Sequence, residues 1–181
     1  MYKIAYVTPA QAETAPESVR KVYDAFKGKE IPEPLQLLSA SPGLLTNKFE
    51  NIHYYMSHET LSFPMLAAIR YAVARSYSYE CCTDFNDDLL KRCGMTPSDI
   101  ETLYAYAEGS RTETMDSGLE DREQKLVRFV ISAVQDPKSV TEDQIAALRT
   151  EGWSDKDIFD ALCHGANMVS ASIIDSAFRT R

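Results

Sequence analysis

Cysteine is scarce in this chain. There are four in 181 residues, Cys81, Cys82, Cys93 and Cys163. Positive charge is short as well: 19 Lys and Arg stand against 27 Asp and Glu, a formal net charge of −8. That balance argues against nucleic acid or an anionic membrane as partner. No apolar run is long enough to span a bilayer, and the opening MYKIAYVTPA has no basic stretch followed by a long apolar run. The expectation is a protein with no secretory signal, placed in the cytoplasm, with its thiols mostly reduced. Adjacent Cys81 and Cys82 are too close along the backbone for a relaxed disulfide. Strand signals are missing too. Only KIAYV, residues 3–7, alternates even weakly.

What remains reads as helix after helix, enough for one all-α domain with a sizeable core. Pro16-Glu17 opens SVRKVYDAF, which Gly28 stops. Pro32 and Pro34 then break the chain. Ser41 caps the helix of SPGLLTNKFENIHYYMS, with Pro42 in its first position. LSFP opens MLAAIRYAVARSY, apolar nearly all round and so expected to be buried. A helix from about Cys81 to Cys93 ends at Gly94, and Thr96-Pro97-Ser98-Asp99 caps the next. GSRTETMDSG reads as a loop. LEDREQKLVRFVISAV, VTEDQIAALRTEG and SDKDIFDALCHGANMVSASIIDSAF complete the series.

The second half follows the first at a constant offset, Gly94 to Gly152 (152 − 94 = 58). The same shift pairs Leu61 with Leu119, Arg70 with Arg128, Thr83 with Thr141, Leu90 with Leu148, Asp99 with Asp157 and Ile100 with Ile158. The pattern predicts a duplicated unit of buried helix, second helix, glycine stop and capped third helix. The expected division is an N-terminal helical arm over 1–60, a first unit over 61–110 and a second over 119–181.

The stretch LSFPMLAAIRYAVARSYSYECCTDFNDDLLKRCGMTPSDI resembles the alkylhydroperoxidase D-like family, also called the carboxymuconolactone decarboxylase family. EDREQKLVRFVISAVQDPKSVTEDQIAALRTEGWSDKDIFDAL looks like the matching part of its longer, peroxidase-related members, so that the resemblance runs from about residue 35 to 181. It implies an AhpD-like all-α bundle and a homo-oligomer, whether dimer, trimer or hexamer. Active members carry a Glu, eleven residues, then Cys-x-x-Cys-x-x-x-His. Aligned through Gly94, Cys82 falls on the second, attacking cysteine. Tyr79 replaces the first cysteine, Asn86 the histidine and Ala67 the glutamate.

The replacements have chemical consequences. A phenol at Tyr79 forms no disulfide, and neither Ala67 nor Asn86 takes a proton at neutral pH. A thiol without a base or a cationic neighbour keeps a pKa near or above about 8.5. Glu80 and Asp84 push it further up, and the helix N-terminus only partly offsets them. Cys93 lies roughly 16 Å along the helix and cannot act as resolver. YSYECCTDFN therefore reads as the remnant of a two-cysteine site, with slow labelling of Cys82 and negligible peroxide turnover with dithiols as expectations.

Three functions stay open on these residues. Cys82 serves a peroxidase-related oxidoreductase with an outside thiol or small-molecule reductant, or it packs as a small core hydrophobe on the face shared with Phe85, Asn86, Leu89 and Cys93 in a non-catalytic oligomeric protein. A decarboxylase-like enzyme would instead need an ionisable pair, for which Arg70, Arg75, Glu80 and His53 are candidates. Arg70 and Arg75 sit in an otherwise apolar helix and want a carboxylate partner or an anionic ligand. His53 and His58 are five apart and do not share a helix face, and Cys163 and His164 are adjacent and do not face each other. No cofactor or metal is expected. The tyrosines and phenylalanines of NIHYYMSHETLSF exceed the needs of one small core and point to a subunit interface.

Overall fold

The computed structural model describes residues 1–26, 28–109 and 118–180. Most of GSRTETMDSG, residues 110–117, lies outside the described residues. The chain is almost entirely helical and divides into two compact units, Met1–His58 with Ile173–Arg181, and Glu59–Ser172. Among the described residues no helix is long and apolar enough to cross a membrane.

The first unit is built on α1 (Glu17–Asp24), α2 (Glu33–Leu38) and α3 (Pro42–Met56). Val19, Val22 and Tyr23 fall on one face of α1 and are buried with Ile31, Leu35 and Leu45. The presence of α2 corrects the reading of Pro32 and Pro34 as a simple break. Pro34 lies in the first turn of α2, where its missing N–H has no helical partner to lose. The weak strand expected over 3–7 is also absent. Val7 donates its N–H to Ser39 Oγ (2.6 Å) and its carbonyl accepts from Tyr23 Oη, so its backbone groups are spent on side chains, not on a ladder. Tyr2 alone makes an isolated bridge, to Arg179. Around it Tyr2 Oη donates to Asp175 Oδ1 (2.9 Å), while Arg179 donates to Asp175 (2.7 Å) and Glu33 (2.8 Å).

The second unit contains α4 (Phe63–Ser76), α5 (Glu80–Arg92), α6 (Pro97–Ala107), α7 (Asp121–Gln135), α8 (Glu142–Thr150) and the greater part of α9 (Asp155–Phe178). Nine residues of α4 are buried, because α5, α6 and α7 all pack on it. That accounts for its lack of a polar face. Gly94 ends α5 and Gly152 ends α8 in left-handed conformations with φ of +88° and +87°. In each case the next N–H reaches back five residues, Met95 to Leu90 O (3.1 Å) and Trp153 to Leu148 O (3.2 Å), and the glycine N–H bonds the carbonyl three residues before it. Two residues beyond each glycine a reciprocal cap follows, Thr96 with Asp99 and Ser154 with Asp157. The local geometry thus recurs at the interval seen in the sequence. It departs at α8, which starts at Glu142 after a short 3-10 turn over Pro137–Ser139, where α5 is already helical.

Candidate functional site

The site is set by the turn that joins α4 to α5. Ser78 takes φ of +52° without being glycine. Its N–H bonds Arg75 O (3.0 Å) and that of Tyr79 bonds Ala74 O (2.8 Å), the same closure used at Gly94 and Gly152. This leaves Tyr79 buried as the N-cap of α5. Its carbonyl accepts the N–H groups of Cys82 (3.1 Å) and Thr83 (3.0 Å), which fixes Cys82 in the first turn of the helix. Cys81 and Glu80 are exposed there, and Cys82 is half-buried.

The buried side of α5 is formed by Thr83, Asn86 and Leu90. This corrects the reading of Cys82, Phe85, Asn86, Leu89 and Cys93 as one apolar inward face, since of these five only Asn86 is buried. Phe85 is 50% exposed and Cys93 is exposed, so Cys82 lies on the flank of the helix between core and solvent. Asn86 is fully buried. It donates Nδ2–H to the carbonyl of Cys82 (2.6 Å), while its Oδ1 has no hydrogen-bond partner among the described residues.

From α4 come Ala67, buried, and Arg70, one turn further on. Arg70 is half-buried, with its cation 5.8 Å from the ring centre of Phe85. Burial pushes the guanidinium pKa down, against the pull of the charges that Cys82 and Tyr79 can carry. Among the described residues Arg70 makes no ion pair, so the expected carboxylate partner is not there. Arg75 has none either. It lies over the ring of Tyr104 at 4.2 Å, with Nε buried and without a hydrogen-bond acceptor among the described residues.

Ala67, Arg70, Tyr79, Cys82 and Asn86 therefore belong to one packed helix pair. Sequence reading gave the thiol no cationic neighbour, whereas α4, which carries Arg70, packs on α5, and Cys82 acts electrostatically on the Arg70 guanidinium. The one signal was spacing: Arg70 follows Ala67 by three residues on the same helix. Other candidates lie elsewhere. His53 is exposed on α3 in the first unit, its ring edge-on to Phe49 at 4.5 Å. Cys163 is half-buried on α9, where burial, and then Asp160, push its thiol pKa up. Among the described residues no three His, Cys, Asp or Glu side chains are grouped as a metal site would need.

No protein-family model matches the chain, and no curated protein matches its sequence. Solved structures do. A peroxidase-related protein from Silicibacter sp. TM1040 superimposes with a TM-score of 0.76 at 17% identity, over 97% of this chain and 87% of its own. The alkylhydroperoxidase AhpD core of a peroxidase-related protein from Ralstonia eutropha JMP134 gives 0.75 at 15% identity, over 99% and 91%. The chain has the all-α fold of the alkylhydroperoxidase AhpD core.

Proposed function

We propose that this chain is a peroxidase-related oxidoreductase of AhpD-like type in which the two-thiol reaction has been lost and Cys82 is the one remaining thiol of the site. The supporting observation is the first turn of α5. The position one turn before Cys82 holds the buried phenol of Tyr79, and the two other family positions hold buried Ala67 and Asn86. None of the three supplies a resolving thiol or a proton acceptor. An acid/base lactone-handling enzyme has less support, because Glu80 is exposed and Arg75 is engaged with Tyr104. A cytoplasmic setting suits the four free cysteines. The experiment is oxidation with hydrogen peroxide in the absence of reductant, read by intact and peptide mass. We expect no disulfide within the chain. Finding Cys82 joined to Cys81, Cys93 or Cys163 would remove the proposal.

A homo-oligomer belongs to the same reading. Within the second unit Phe63, Phe85 and Phe159 are 47%, 50% and 67% exposed, large apolar rings of the kind that subunit contacts cover. Sedimentation at micromolar concentration should give a mass of at least twice 20.3 kDa, and a monomer alone would contradict it.

A further inference from the structure

Three helices of the second unit end on one cavity of about 410 Å³. Its lining is Ser76 and Tyr77 from the end of α4, Ala107, Glu108 and Gly109 from the end of α6, and Gln135 from the end of α7. Side chains tie these ends together. Gln135 Nε2 donates to Ala107 O (2.9 Å) and to Ser76 Oγ (3.0 Å), Ser76 Oγ lies 3.1 Å from Ala107 O, and Tyr77 Oη donates to Val134 O (3.2 Å). The last carbonyls of a helix have no N–H of their own helix to accept, and each helix end carries about half a negative charge. Three such ends in one place repel unless a cation joins them. Among the described residues no Lys, Arg or His lines the cavity. α6 and α7 have no basic residue in their last turns. α4 has Arg75, but its guanidinium is drawn over the ring of Tyr104, at 4.2 Å. Glu108 adds a full negative charge. It is exposed, and its carboxylate makes no ion pair or hydrogen bond among the described residues. The carbonyls of Ser76, Glu108 and Gln135 likewise accept no hydrogen bond from the described residues.

The acceptors fix the class of cation. They are all oxygens, from carbonyls, a hydroxyl, an amide and one carboxylate, with no imidazole or thiolate for zinc or copper. Calcium takes about 6–8 oxygen ligands, carboxylates prominent among them, and here there is one carboxylate. The cavity is also far larger than an ion and falls within the range of small-molecule sites, about 300–1,000 Å³. A primary ammonium group fits better. It carries three N–H donors, enough to bond carbonyls of more than one helix end and the carboxylate at once. The ring of Tyr77, held by its hydroxyl on Val134 O, and the methyl of buried Ala107 give a short alkyl chain something to lie against. We propose that this helix-end cavity binds small primary alkylamines as ammonium ions, with Glu108 as counter-ion and the carbonyl ends of α4, α6 and α7 as acceptors. The site uses none of Ala67, Tyr79, Cys82 and Asn86, so it stands apart from the reading of the thiol.

The test is isothermal titration calorimetry with n-butylamine at pH 7, in about 0.15 M salt so that diffuse attraction to a chain of net charge −8 is screened. We expect saturation at one amine per chain with a Kd of about 1 mM or below. Glu108→Gln should weaken binding at least about tenfold, through the loss of one charge-assisted partner. Glu108 is exposed, so the change does not disturb the core. Glu13→Gln, the same charge change at an exposed position in the first unit, should leave the Kd as it is. The uncharged n-butanol should give no saturable binding. Equal weakening in the two variants would mean a diffuse acidic surface and overturns the inference. Absence of saturation overturns it too. So does calcium chloride that binds at one ion per chain and displaces the amine, which would make the cavity a metal site.

Discussion

Ala67→Glu, Tyr79→Cys and Asn86→His combined should form a peroxide-driven disulfide between positions 79 and 82, at least about a hundredfold faster than any disulfide appears in the wild type. Tyr79 is the N-cap of α5 and Cys82 its third residue. Residues three apart at a helix start have Cα atoms about 5 Å apart, within the range a disulfide accepts. The wild type has the geometry without the second sulfur. The other two changes return proton-accepting groups to buried positions, and each carries a structural cost. Ala67→Glu places a carboxyl on a helix that is buried nearly all round. It also places that carboxyl one turn from Arg70, which has no carboxylate partner among the described residues. Ala67→Glu alone should therefore pair with Arg70, which offsets part of that cost. The full combination should gain, because the imidazole of Asn86→His takes over as base. Mass analysis after peroxide addition, with circular dichroism to confirm folding, decides the matter. A folded triple variant that forms no disulfide would mean that the alignment through Gly94 is wrong.

The parts of the fold legible in sequence are those with local causes. Gly94 and Gly152 stop helices because their left-handed backbone costs a glycine little, and the Thr96–Asp99 and Ser154–Asp157 caps need only residues three apart. The all-round apolar pattern of MLAAIRYAVARS was enough to mark α4 as buried. Longer-range causes were not legible. KIAYV looks like a weak strand until Ser39 and Tyr23 are seen to take the backbone groups of Val7. The turn at Ser78 carries no glycine, so nothing in the sequence marks a left-handed residue there. In the site, the motif positions could be counted along α4 and α5, but which side of α5 faces inward could not. Helix spacing put Phe85 and Asn86 together on one apolar face, whereas packing on α4 buries Asn86 and exposes Phe85.

Substitution of two glycines should change stability in opposite directions. Gly165 lies within α9, where a Cβ would sit 2.6 Å from Val130 Cγ1, 3.3 Å from Val134 Cγ2 and 3.5 Å from Ile69 Cγ2. The glycine is what lets α9 approach α7 and α4 so closely. Val130 is fully buried and stiff at χ1, so it has little freedom to move aside. Glycine within a helix costs about 1 kcal/mol relative to alanine, a penalty that the packing here more than returns. Gly165→Ala should still lose about 1 kcal/mol net, and Gly165→Val about 3 kcal/mol, since each added methyl must displace buried neighbours. Gly43, in the first turn of α3, would place a Cβ with nothing within 4 Å and has no positive φ. There only the helix propensity and the reduced freedom of the unfolded chain remain, so Gly43→Ala should stabilise by about 0.5–1 kcal/mol. Urea unfolding of the three variants beside the wild type gives both signs in one experiment. Gly165→Ala at or above wild-type stability would show that α9 does not need its close approach to α7 and α4.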